Sequence, residues 1–152
     1  MRRSTVSNLD DVLGSIAESQ FGLFSLEQAR RVGVDRSTVD KRVARGALTR
    51  VQPNVFAFPG STPTWQRDTA ALVLSVPGLA AASHKTAAFI WGMSSIEPAL
   101  TEIVTVRHRR IHRRNPQIHE SKDLRPDHVV TIEGIPTTTA VRTVVDVGAS
   151  AS

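Results

Sequence analysis

Six residues within ten positions, Arg36, Ser37, Thr38, Lys41, Arg42 and Arg45, have side chains suited to gripping and reading a nucleic acid. Arginine offers a planar fork of donors that fits guanine edges or phosphate oxygens, lysine a mobile point charge, and the short hydroxyls can meet base edges or phosphates. Such a set needs a helix to carry it. At about 100° per residue, Val39 and Val43 fall together as the inward face. Ser37, Lys41 and Arg45 fall opposite, with Thr38 and Arg42 alongside them. Arg36 lies nearer the apolar side in the first turn, where contact with the phosphate backbone suits it better than base reading.

The neighbouring residues describe how that helix is held. Ser25-x-x-Gln28 is a capping box that starts one short helix, and Gly33 supplies the left-handed residue that ends it. Asp35 caps the next helix and Gly46 closes it. Two short helices joined by so tight a turn, the second heavily basic, predict a helix-turn-helix. Leu48–Val51 and Val55–Phe58 are short β-prone runs around a Gln52-Pro53-Asn54 turn, so a hairpin follows, with Arg50 as its phosphate contact. Upstream, Leu9, Val12, Leu13 and Ile16 recur at helical spacing, which predicts a first helix over residues 8–19 capped by Asn8. Phe21, Leu23 and Phe24 complete the core. Residues 1–60 therefore read as a winged helix-turn-helix, with double-stranded DNA as the partner that its basic face fits.

A second basic group runs from Arg107 to Arg114. It holds Arg107, Arg109, Arg110, Arg113 and Arg114 with His108 and His112, and no acid among them. Self-repulsion on this scale favours an anionic partner, so DNA phosphate is the expected contact, against a solvated loop beyond a strand as the plain alternative. The two histidines make poor metal ligands, because no carboxylate or cysteine stands beside them and the neighbouring cations oppose a divalent ion. Glu120-Ser121-Lys122 has the Glu-x-Lys form of metal-dependent nucleases, with Glu102 as an upstream acid, but that triplet is common by chance and no Pro-Asp precedes it. Ser83 and His84 are sequence neighbours, which is no nucleophile geometry, and Ser83 reads as a helix cap. Trp65 and Trp91 sit in apolar helices and read as core. No catalytic residue, metal or cofactor is expected.

With 152 residues, 40% hydrophobic content and a net charge of +5, the chain has room for two small folded units and favours an acidic polymer as partner. The absence of cysteine excludes disulfides, thiolate zinc sites and a cysteine nucleophile, and fits a reducing cytoplasm. No apolar run reaches the ~18 residues of a membrane helix, and no apolar stretch follows Arg2-Arg3 to make an export signal. Pro59–Pro63 reads as a linker, so a second unit is expected over residues 61–152. Its predicted elements are a helix from Trp65 to about residue 76 capped by Thr64, a strand at Leu79–Ala82, and a helix from Ser83 to Trp91 ended by Gly92. Strands follow at Thr101–Val106, Ile118–Glu120 and Val129–Ile132, a turn at Glu133-Gly134, and a last helix capped by Thr138 or Thr139. The fold class is α+β: an N-terminal winged helix-turn-helix followed by a small α/β-mixed domain.

Two later stretches carry a family resemblance. They are Ser83-His-Lys-Thr-Ala-Ala-x-x-Trp-Gly, and Gly134-Ile-Pro-x-Thr-Thr followed by Val141-Arg-Thr-x-x-Asp. Placed after a winged helix and a Pro/Gly linker, they make the chain resemble the AbiEi-type antitoxins, the transcription-repressor halves of type IV toxin–antitoxin systems. The resemblance implies an autorepressing DNA-binding regulator with a nucleotidyltransferase toxin as partner. Similar N-terminal regions also precede very-short-patch-repair-like endonuclease domains, which leaves a DNA-targeting module of such an enzyme as the alternative. Family members usually run on for another domain, whereas this chain stops at Ser152 in a helix still adding turns. The second domain is therefore expected to be truncated at its C-terminal end.

Overall fold

The computed structural model describes residues 2–106 and 117–151, and of residues 2–7 the backbone alone. The chain divides into two compact units, Met1–Ser75 and Val76–Ser152. Among the described residues no helix is long and apolar enough to cross a membrane.

The first unit runs α1 (Arg2–Glu18), β1 (Leu23–Ser25), α2 (Leu26–Arg31), α3 (Arg36–Ala44), β2 (Thr49–Gln52), β3 (Val55–Ala57) and α4 (Trp65–Ser75). The three strands form an antiparallel sheet in the order β1-β3-β2. That is the strand order of a winged helix, and the α+β class with an N-terminal winged helix stands. The capping box is complete: Ser25 Oγ accepts from the Gln28 backbone and the Gln28 side chain accepts from the Ser25 backbone, at 3.1 and 3.0 Å. Asp35 caps α3 by accepting from the Thr38 backbone at 2.8 Å. Gly33 and Gly46, at φ +85° and +77°, make the left-handed turns that end the two helices.

Alternation along β1 and β3 divides two cores. Phe24 and Phe56 point to one face with Leu13, Leu26, Ala29, Val34, Val39 and Leu48. Leu23, Val55 and Ala57 point to the other, beneath Ala70 and Ala71 of α4. Both faces of the sheet are thus covered, and every residue of β1 and β3 is buried.

Three features depart from the sequence reading. The first helix begins at Arg2, not at Asn8, because no proline or glycine in residues 2–8 stops it from propagating ahead of its apolar stripe. Leu23 and Phe24, expected only as core, form a strand with the helix cap Ser25. The unit boundary falls after Ser75 where the linker composition suggested residue 60. Ser61 donates its hydroxyl to the Phe21 carbonyl at 2.6 Å, and Arg67 donates to the Ser61 carbonyl at 2.8 Å. The Pro/Gly segment is therefore a pinned turn, and it delivers α4 to the sheet.

The second unit contains β4 (Ala80–Ala82), α5 (His84–Ile90), β5 (Ile103–Val106), β6 (Ile118–Ser121), a 3₁₀ turn at Pro126–His128, β7 (Val129–Ile132), β8 (Ile135–Thr138) and α6 (Ala140–Ser150). The sheet order is β6-β5-β4-β8-β7, with β5–β6 and β4–β8 parallel and the other pairs antiparallel. Ile135–Thr138, which the sequence left beyond a turn, is an inner strand of this sheet. Ala81, Val104 and Leu124 centre its core.

Candidate nucleic-acid interface

The exposed positions of α3 are Arg36, Ser37, Asp40, Lys41 and Ala44, continued by its C-cap Arg45. These fall four apart in two adjacent rows, so they form one continuous stripe along the helix. Val39 is fully buried and Val43 half-buried in the core, which holds the stripe outward. Lys41 sits near enough to Asp35 to help hold that carboxyl below its usual range, although the hydrogen bonds from Thr38 contribute more. The Arg45 side chain makes no hydrogen bond or ion pair among the described residues. A helix presenting exposed cations and an exposed hydroxyl has the features that phosphate and base-edge contacts use.

The residues assigned from the sequence separate on this geometry. Arg36, Ser37, Lys41 and Arg45 share the outward stripe. Thr38 is half-buried and its backbone N–H is taken by the Asp35 cap, which leaves its hydroxyl at the edge of the stripe. Arg50 is exposed on β2, opposite Phe56 and next to the irregular register at Val51. Arg42 is a correction. It is 7% exposed, its Nε donates to Asp10 of α1 at 2.8 Å, and Nη1 reaches the Thr38 carbonyl at 3.5 Å. Arg42 fastens α3 to α1 and does not belong to the outward set. Helical phase carried a signal for this, since Arg42 lies only about 60° from Val39 around the helix. Arg107, Arg109, Arg110, Arg113 and Arg114, with His108 and His112, lie outside the described residues.

Two residues that the sequence reading did not assign to the interface shape it. Asp40 stands on the stripe 4.0 Å from Arg36, which tempers the positive charge at that end. Asn54, at the β2–β3 turn with φ +61°, accepts from Arg36 Nη2 at 3.1 Å through its side chain. Its carbonyl accepts from the Leu26 backbone at 2.8 Å. One turn residue therefore ties the hairpin tip to the starts of α2 and α3. The tip carries Gln52, Pro53 and Asn54 and no cation, so Arg50 is the hairpin's only charged side chain.

In the second unit several polar residues of the two motif stretches hold the fold together. Trp91 Nε1 donates to the Thr138 carbonyl at 2.8 Å, joining α5 to β8. Arg142 binds Asp146, Asp123 and Ser121 at 3.0, 3.2 and 3.0 Å. Its arrangement ties α6 to the residues around β6. Ser83 caps α5 by position alone, since its hydroxyl contacts His84 Nδ1 at 2.8 Å instead of a helix N–H. His84 stacks on His119 with ring centres 3.8 Å apart, and His119 Nε2 meets Glu102 at 3.0 Å. Glu102 thus faces His119. Among the described residues no three His, Asp or Glu side chains gather as a metal-binding group.

Residues 13–59 match the model of a family described as transcriptional regulator, AbiEi antitoxin. The matched segment runs from the inward-facing Leu13 of α1 through the hairpin, and so contains α2, α3 and Arg50. No curated protein matches the chain.

Proposed function

We propose that this protein is a sequence-specific, double-stranded DNA-binding transcriptional regulator, and that it is the autorepressing antitoxin of a type IV toxin–antitoxin system. The observation that carries the DNA reading is the outward stripe of α3, where Arg36, Ser37, Lys41 and Arg45 stand together on a helix fastened from behind by Arg42. α3 enters the major groove, Ser37 and Arg45 meet base edges or phosphates, and Lys41 and Arg50 contact phosphates. The family match supports the regulator and antitoxin parts of this reading for residues 13–59. The protein acts in the cytoplasm by binding, without catalysis and without a cofactor. A nucleotidyltransferase toxin is its protein partner. The five arginines between Arg107 and Arg114 add phosphate affinity by their charge alone.

The test is a gel-shift titration of the full chain against DNA from upstream of its own gene, with a scrambled duplex as control. Tight binding to the upstream DNA, abolished in the Lys41→Ala/Arg45→Ala double variant, is expected. Equal affinity for both duplexes would leave a non-specific binder, and no binding to either would end the regulator reading. Rescue of growth when the protein is co-expressed with a nucleotidyltransferase encoded beside it tests the antitoxin half. An adjacent nuclease-coding segment in place of that toxin would favour the DNA-targeting alternative.

A further inference from the structure

We propose that the second unit pairs with a second copy of this chain through the apolar groove between α5 and α6. The groove encloses about 580 Å³ and is lined by Lys85 and Ala88 of α5, Met93 and Ile96 of the following segment, and Val144 and Val147 of α6. Its surroundings are unusually bare: Ile96 and Val141 are 77% exposed, Val144 and Val145 60%. On α6 these valines fall at 141, 144 and 145, a single helical face, while Thr143 and Asp146 turn inward. Keeping apolar surface in water forgoes the free energy its burial would release. Monomers rarely leave such contiguous faces uncovered unless something binds them.

Charge identifies the occupant. Among the described residues Lys85 is the sole charged side chain lining the groove, and its ammonium has no ion pair or hydrogen bond there. Glu97 sits between the lining residues Ile96 and Pro98, exposed and without an ion pair among the described residues. One rim therefore carries an unanswered cation and an unanswered anion around an apolar centre. A two-fold operation answers both: Glu97 of one copy faces Lys85 of the other, twice, while Ile96 and Val144 pack across the axis. An unrelated partner would have to supply both charges, whereas a second copy has them already. The inference concerns the second unit alone and stands whether or not α3 reads DNA. If α3 does, pairing gives one assembly two recognition helices for two half-sites.

Sedimentation equilibrium of the full chain tests this. A concentration-dependent monomer–dimer equilibrium is expected. Val144→Asp should raise the dimer dissociation constant more than about tenfold by forcing two carboxylates into the contact. Lys85→Glu and Glu97→Lys alone should each weaken the dimer by about tenfold, and the double swap should restore it to within about threefold. Circular dichroism establishes that each variant is folded, and the three charge variants decide the matter if Val144→Asp is not. A chain that stays monomeric at every concentration overturns the proposal. So does a dimer indifferent to Val144→Asp, or a double swap as weak as the single variants, either of which would assign the groove to another occupant. Gel shifts of the monomeric variant on a single half-site separate this result from any failure of the DNA reading.

Discussion

Arg42 of α3 and Asp10 of α1 form an ion pair of 2.8 Å in which the arginine side chain is 8% exposed and the aspartate side chain 47%. The pair crosses from the back of the recognition helix to the helix that supports it. A buried cation without its acid is costly, whereas this acid can return to water once the cation is gone. The asymmetry predicts that Asp10→Ala destabilises the first unit more than Arg42→Met does. Asp10→Ala should cost roughly 1–3 kcal/mol in urea unfolding. Arg42→Met, which keeps the apolar stem, should cost less and should leave the salt dependence of DNA binding unchanged. A flatter salt slope in Arg42→Met would return this residue to the DNA-contacting set.

The outward stripe predicts a different pattern. Truncating Lys41 or Arg50 to Ala should remove one phosphate contact each, flatten the slope of log K against log salt by about 0.9 and weaken all duplexes alike. Ser37→Ala should instead change discrimination at one or two base pairs, by about 1–3 kcal/mol where the hydroxyl reads a base edge. Binding titrations at several salt concentrations on operator and mutated operator separate the two behaviours. If Ser37→Ala weakens every sequence equally, that hydroxyl touches the backbone.

Capping governs the helix-turn-helix from within. Ser25→Ala removes one half of a complete capping box and should cost about 1 kcal/mol in equilibrium unfolding. Asp35 behaves differently because it is ionised. The Thr38 hydrogen bonds, with Lys41 assisting, hold its carboxyl below its ordinary value of 3.8. A depressed carboxyl contributes stability that is present above that value and lost as pH falls through the lower, native one. Asp35→Asn should therefore remove part of the acid limb of the first unit's pH–stability curve, read by circular dichroism between pH 5 and pH 2. An unaltered limb would mean that Asp35 does not keep its charge at the α3 cap.

His84 sets a pH dependence of the same sign in the second unit. Burial, then the neighbouring His119, with Arg142 as a lesser contributor, push its imidazole below the ordinary 6.5, against the opposing pull of Asp146 and Glu102. The native state then binds fewer protons than the unfolded chain just below pH 6.5. Stability from this group is full above that value and is lost as pH falls toward the native one. Thermal melts should show the second unit weakening between pH 7.5 and pH 5.5, and His84→Gln should reduce that slope. Proton NMR should find the His84 ring less than half protonated at pH 6.5. A ring more than half protonated there would contradict the burial argument.

Local chemistry determined much of this molecule. Ser25, Gln28, Gly33, Asp35 and Gly46 act within a few residues of themselves, through hydrogen bonds to nearby N–H groups and left-handed backbone, so α2 and α3 could be read directly. The outward set Ser37, Lys41 and Arg45 followed from helical period for the same reason. What depended on distant residues could not be read. β1 is a strand because Leu23–Ser25 pairs with Val55–Ala57, and β8 because it lies between β4 and β7. α4 belongs to the first unit because Ser61 and Arg67 pin its approach and Ala70 and Ala71 cover the sheet. Arg42 looked like its basic neighbours, since composition says nothing about an acid thirty-two residues away in sequence and 2.8 Å away in space. Sequence period decides which way a side chain leaves its helix; only the packed tertiary structure decides what it meets there, because desolvation and pairing depend on elements brought together from far along the chain.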